Sequence, residues 1–192
     1  MALGLAAAVT LGAAACSDDP NSVAAQAKAG TNKGYVSGDG SIEEVAPDQR
    51  GEPLTLSGTT LTGKTWSVSQ DAGKVVVLNT WGSWCGPCVE EAPHLQKAWE
   101  KLSGADKPVQ FMGINYREGA KTAEAFLRSR HITYPSLADD GGQTLLALRG
   151  KASVTPTTLV LDKEGRIAAR VSGPVTATTL SSLVTTVLRE SA

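Results

Sequence analysis

Trp84-Cys85-Gly86-Pro87-Cys88 decides how this chain is read. The five residues follow Val75-Val76-Val77-Leu78, a continuous β-branched run of the kind buried on both faces of a parallel or mixed sheet. They precede Val89, Ala92, Leu95, Trp99 and Leu102, which keep helical spacing until Ser103-Gly104 ends the segment. The cysteines therefore stand where a buried strand hands over to a helix. A helix start presents unpaired N–H groups and a partial positive charge, which stabilise a thiolate on Cys85. Two-residue spacing lets Cys88 reach back and attack a mixed disulfide on Cys85. Pro87 suits the first turn, where its missing N–H costs little. The pattern is that of a reversible dithiol–disulfide couple.

Other uses of the pair stand beside that one. A zinc site needs two further Cys or His ligands, and with Cys16 far off only His94 and His131 remain, so no metal is expected. A structural disulfide closing so small a loop would constrain the unfolded chain little. Covalent haem attachment needs His directly after the second cysteine, and Val89 is there instead.

Outward from the motif, Leu54 to Val68 alternates weakly between apolar residues and Thr or Ser, with Gly58 and Gly63 as punctuation, and predicts an opening β-hairpin. Val109 to Ile114 predicts the next strand. Ala120 to Arg130 predicts a helix with Ala123, Phe126 and Leu127 on one side, and Gln143 to Arg149 a short helix. Thr157 to Leu161 and Arg166 to Val171 flank Asp162-Lys163-Glu164-Gly165, a turn with glycine placed for positive φ. Leu180, Leu183, Val184, Val187 and Leu188 give the stripe of a closing helix. This order describes an α/β domain, a central mixed sheet with helices on both faces.

The chain has 192 residues, 41% of them hydrophobic, enough for one domain with a real core. Its formal charge is −1 with scattered basic residues, so no nucleic-acid face is expected. Three cysteines are too few for a disulfide-stapled scaffold. Met1 to Ala15 is nearly all Ala, Leu, Gly and Val, shorter than the ~20 residues of a membrane span, and reads as the apolar part of a signal sequence. Its end, Ala13-Ala14-Ala15-Cys16, resembles a bacterial lipobox, although Ala13 stands where Leu is usual. That resemblance implies lipid on Cys16 and anchorage to the outer face of the cell membrane. Residues 17–50, rich in Ser, Gly, Asn, Asp and Gln, are expected to be a flexible tether. The expected division is residues 1–16 as signal and lipobox, 17–50 as tether and 51–192 as the folded domain.

Trp84 to Cys88 resembles the thioredoxin active site, and Thr155-Pro156, just ahead of a predicted strand, resembles the residues around its cis-proline. More narrowly, the run from Leu78 through Asn79, Trp81, Cys85 and Cys88 to Pro93 is similar to the TlpA/ResA-like extracytoplasmic thioredoxins. So are Tyr134-Pro135 and Leu159 to Gly165. The resemblance implies a thioredoxin-like fold with an N-terminal β-hairpin and a central insert. It implies a redox-active Cys85–Cys88 disulfide shaped by Trp84, Gly86, Pro87, Thr155 and Pro156, and no cofactor. Family members reduce or exchange disulfides of exported proteins, notably in cytochrome c maturation. The implied partners are exported protein thiols and disulfides and a membrane or extracytoplasmic electron donor.

Thioredoxins carry a buried Asp where this chain has Asn79, whereas TlpA/ResA-like proteins commonly have Asn there and a Glu at the position of Glu91. Glu91 lies three residues after Cys88, on the same side of the helix, and is the acidic candidate for taking the Cys88 proton. Compensation of the helix dipole is the other reading of Glu90 and Glu91. His94 and His131 are expected to be surface or hydrogen-bonding residues, Trp99 in the core, and Trp81 and Trp84 flanking the site. Two other functions are weighed: a binding lipoprotein with a structural disulfide, and a peroxiredoxin-like peroxide reductase. The second resembles a Thr-x-x-Cys pocket with a distant Arg, a pattern missing ahead of Cys85.

Overall fold

The computed structural model describes residues 41–104, 107–148 and 150–190. Cys16 and the stretch read as signal and lipobox lie outside the described residues. Strands are β1 (Ser41–Glu44), β2 (Ser57–Thr59), β3 (Thr65–Ser67), β4 (Val75–Trp81), β5 (Val109–Tyr116), β6 (Ser136–Asp139), β7 (Thr157–Leu161) and β8 (Ile167–Ser172). Helices are α1 (Gly86–Leu102), α2 (Ala120–Ser129), α3 (Gln143–Ala147) and α4 (Ala177–Arg189). Among the described residues no helix is long and apolar enough to cross a membrane.

Six strands form one mixed sheet in the order β1-β8-β7-β4-β5-β6. β4, β5 and β6 run parallel, while β7 is antiparallel to both β4 and β8. β4 is buried along its whole length because it is central and covered on both faces. Its side chains alternate between two cores. Val75 and Val77 face Leu95, Ala98 and Leu102 of α1 and Leu180, Val184 and Val187 of α4. Val76 and Leu78 face Leu56, Trp66 and Val68 of the hairpin region and Leu148 after α3. Each such side chain contributes roughly 1.5–3 kcal/mol through removal from water.

The β2–β3 hairpin is a separate two-stranded ladder laid against the second face, touching the main sheet through a bridge from Thr60 to Leu137. α1 carries Pro93 in its interior without ending there. Gly165 closes the β7–β8 turn at φ 81°, where a Cβ would be strained. Its neighbour Asp162 fixes the turn, accepting from the N–H groups of Glu164 and Arg166 at 3.1 and 2.8 Å.

Two sequence expectations need correction. The sequence predicts a tether reaching residue 50, but Ser41 to Glu44 pairs with β8 as an edge strand. Ile42 packs against the first core. The Arg50 side chain is shielded from solvent, with its guanidinium on Asp162 at 3.1 Å and on both oxygens of Glu190 at 2.7 and 2.8 Å. The folded unit therefore begins no later than residue 41. The second is β6, a strand absent from the expected order. Only Leu137 of its four residues joins an apolar core, while Ser136 and Asp139 are buried as hydrogen-bonding partners.

Candidate active site

Cys85 is the N-cap of α1, and its Sγ accepts a hydrogen bond from the Cys88 N–H at 3.3 Å. The Cys85 carbonyl accepts the first helical bond from Val89 N at 3.0 Å. The two cysteines form a disulfide with Cα atoms 5.2 Å apart. Both are buried in the oxidised state, Cys85 at 6% and Cys88 at 3% exposure. Gly86 and Pro87 are exposed beside them.

The residues ahead of Cys85 form a tight turn in which Cys85 N donates to Gly82 O at 3.1 Å. Trp84 folds back over Gly82, where a Cβ would sit 2.4 Å from the indole nitrogen. Only glycine permits that approach. The Trp84 indole N–H donates to Tyr116 O at 3.2 Å, and the two rings meet edge to face at 5.5 Å. Even so, Trp84 is 51% exposed, and Val154, the neighbour of Thr155 in the chain, is 48% exposed.

The Thr155–Pro156 bond is cis, and Thr155 O lies 3.9 Å from Cys85 Sγ. A disulfide sulfur has no proton to donate, so this is a contact between the loop and the bridge. Pro156 is buried, and the next residue anchors the loop: Thr157 N donates to Thr80 Oγ1 at 3.0 Å.

Behind the disulfide lies Glu91, 1% exposed on the sheet side of α1. Its Oε1 accepts from Asn79 Nδ2 at 2.9 Å and its Oε2 from Val175 N at 3.1 Å. Burial pushes its carboxyl up from 4.5 to about 7, although both hydrogen bonds favour the anion. Asn79 Nδ2 also donates to Thr158 Oγ1 at 3.2 Å, while Asn79 Oδ1 has no protein partner. Asn79, Cys88 and Tyr134 border one small internal cavity. Burial and the Glu91 carboxylate both raise the Tyr134 phenol, keeping it neutral. Glu90 is exposed but lies past the first turn of α1, which holds no acidic residue, so dipole compensation does not account for it, whereas the buried Glu91 is hydrogen-bonded into the sheet.

His94 and His131 are exposed and make no part of this arrangement. Trp81 is core and donates to Ser136 Oγ at 3.2 Å. Trp99 is half-buried against the core, with its indole N–H on Thr133 Oγ1 at 3.1 Å.

The sequence pattern carries no signal for the end of β5 and the residues that follow it. Glu118 Oε1 accepts from Ser83 N at 2.7 Å and from Asn115 Nδ2, and its Oε2 accepts from the Ser83 hydroxyl. The Tyr116 hydroxyl is hydrogen-bonded to Thr155 Oγ1. Between them, Arg117 takes φ 58°, a left-handed conformation that costs a non-glycine residue about 1–2 kcal/mol. No spacing rule links these residues to the cysteines.

The Redoxin family model matches residues 43–187. The chain is 35% identical over 104 residues to the thiol:disulfide interchange protein HelX of Rhodobacter capsulatus, covering 54% of this chain and 55% of HelX. It is 31% identical over 114 residues to the thiol-disulfide oxidoreductase ResA of Bacillus subtilis, covering 59% of this chain and 62% of ResA. The match thus spans under two thirds of these curated relatives. Among solved structures, a secreted thiol-disulfide isomerase from Corynebacterium glutamicum superposes with TM-score 0.74 at 33% identity, over 81% of this chain and 97% of that one. A DsbF homologue from Corynebacterium diphtheriae gives 0.70 at 36% identity, over 79% and 96%. The fold is thioredoxin-like, as the motif implied.

Proposed function

The chain belongs to the redoxin family, and we propose that it is a thiol–disulfide oxidoreductase that works through Cys85 and Cys88. The observation that carries this reading is the Cys85–Cys88 bridge at the start of α1, with Cys85 Sγ taking a backbone N–H and facing the Thr155 carbonyl. A sulfur so placed is stabilised as a thiolate when the bridge opens. The names carried by HelX, ResA and the Corynebacterium glutamicum structure support the same chemistry.

In the reducing direction the Cys85 thiolate attacks one sulfur of a partner disulfide. A mixed disulfide forms and the partner's other sulfur leaves as a thiolate. Cys88 then gives its proton to Glu91 and attacks Cys85 Sγ. The partner's second sulfur leaves, and the Cys85–Cys88 disulfide forms, so two electrons have passed to the partner. Glu91 suits that step because a carboxyl near 7 exchanges protons at neutral pH. Trp84, Val154 and the Thr155–Pro156 loop form the docking face, where the Thr155 backbone pairs with an extended partner segment. The partners are exported proteins, with apocytochrome c the candidate implied by the resemblance of Leu78 to Pro93 to the TlpA/ResA-like thioredoxins, and an extracytoplasmic donor supplies the electrons.

A titration with dithiothreitol and glutathione tests the reading. A catalytic bridge equilibrates near glutathione or thioredoxin potentials, whereas a structural bridge resists reduction. We place the protein outside the cytoplasm, held to the membrane by lipid on Cys16. Mass spectrometry of the native N-terminus should find a lipid-bearing Cys16, and a soluble product cleaved elsewhere would refute the anchor.

A further inference from the structure

Three chain segments meet at the disulfide: the turn Gly82–Cys85, the Thr155–Pro156 loop and the end of β5. The third does no chemistry, yet it binds both of the others. Glu118 holds the turn through the N–H and hydroxyl of Ser83, and the Tyr116 carbonyl holds the Trp84 indole. The Tyr116 hydroxyl holds Thr155, whose carbonyl faces Cys85 Sγ. Asn115 braces the Glu118 carboxylate from below. The bonds from Ser83 and Asn115 end on the Glu118 carboxylate, and hydrogen bonds to a carboxylate are charge-assisted, about twice as strong as neutral ones. The left-handed backbone of Arg117 is what lets Tyr116 and Glu118 point at different segments, and strain of this kind concentrates where geometry matters to function.

We propose that Glu118 is a positioning residue for Cys85: its carboxylate fixes the Ser83–Trp84 turn against the strand end that also holds Thr155, so that nucleophile and docking backbone keep one relative geometry. The inference rests on the thiol–disulfide reading above. A protein disulfide needs Cys85 and the Thr155 backbone aligned together, whereas a small disulfide needs Cys85 alone. Loss of the clamp therefore discriminates between the two substrates, which general destabilisation does not.

The test compares reduced wild type, Glu118→Ala, Glu118→Gln and Ser83→Ala, with insulin and with cystamine as oxidants. The expected result for Glu118→Ala, which removes three hydrogen bonds, is a fall of about tenfold or more in rate with insulin and less than twofold with cystamine. Glu118→Gln should recover most of the insulin rate, since its amide oxygen still accepts from Ser83 N. Ser83→Ala, which keeps the backbone bond, should fall between wild type and Glu118→Ala. Equal losses with both oxidants, an unchanged insulin rate in folded Glu118→Ala, or no rescue by Gln would overturn the assignment. If Glu118→Ala does not fold, Ser83→Ala decides by its insulin-to-cystamine ratio, and an unchanged ratio overturns it. Failure of the wild type to reduce either oxidant would instead sink the thiol–disulfide reading itself.

Discussion

Replacing Glu91 by Gln removes a buried titratable group while keeping its shape. Burial raises the native carboxyl from 4.5 to about 7. In the window between those values the native state holds a proton that the unfolded chain has released. The unfolded state then binds fewer protons, so stability falls as pH rises, by about 1.4 kcal/mol per pH unit. The contribution is fully present below pH 4.5 and lost as pH climbs through 7, a total of about 3 kcal/mol. The Gln variant lacks this slope. It carries instead a pH-independent cost of about 1 kcal/mol, because an amide cannot accept from both Asn79 and Val175. Asn79 limits that cost by turning its unpartnered Oδ1 toward the new amide. Urea unfolding of the oxidised proteins isolates the effect, since bridged cysteines do not titrate. From about pH 5.5 to 8.5, the stability of wild type relative to E91Q should drop by about 2 kcal/mol. A difference that stays flat across that range would refute the burial argument. In stopped-flow kinetics E91Q should slow resolution by Cys88 and spare attack by Cys85. If neither step changes, Glu91 is not the proton acceptor.

Three further outcomes are expected. Cys88→Ser should accumulate mixed disulfides with partner proteins and Cys85→Ser none, read by non-reducing electrophoresis and mass spectrometry; trapping through Cys88 instead would reverse the two roles. Gly82→Ala should displace the Trp84 indole, which a Cβ would meet at 2.4 Å, and cost about 1–3 kcal/mol in a denaturant melt with a changed tryptophan spectrum. An unaltered spectrum would show that the turn accommodates the methyl. Arg50→Ala should cost about 3 kcal/mol in the same melt, because among the described residues it leaves the buried Asp162 carboxylate with Arg166 as its one ion-pair partner and Glu190 with no guanidinium. A loss under about 0.5 kcal/mol, the usual range for surface changes, would show that residues up to 50 add little to the fold.

What the sequence made legible follows from how each contact is encoded. β4, α1, β7 and α4 bury continuous runs or regular stripes, and a period survives in the sequence whatever it packs against. β1 exposes one edge and offers the core only Ile42, so its composition matches that of a tether. β6 hides differently: Asp139 accepts from the N–H groups of Thr144 and Leu145 at 2.9 and 3.1 Å, and Ser136 accepts from Trp81. Buried polar atoms with specific partners read as loop residues when the partners are unknown. The candidate site divides in the same way. Cys85 and Cys88 are joined by local spacing, and Thr155-Pro156 and Glu91 by likeness to known motifs. Glu118 reaches Ser83 across 35 residues, from the end of a neighbouring parallel strand, and only the register of β4 with β5, Trp81 opposite Asn115, brings the two loops together. Parallel strands end on the same side of a sheet, so the loop after β5 must open beside the loop after β4. The chemistry at Cys85 is therefore local in sequence, while the geometry that aims it is a property of strand pairing.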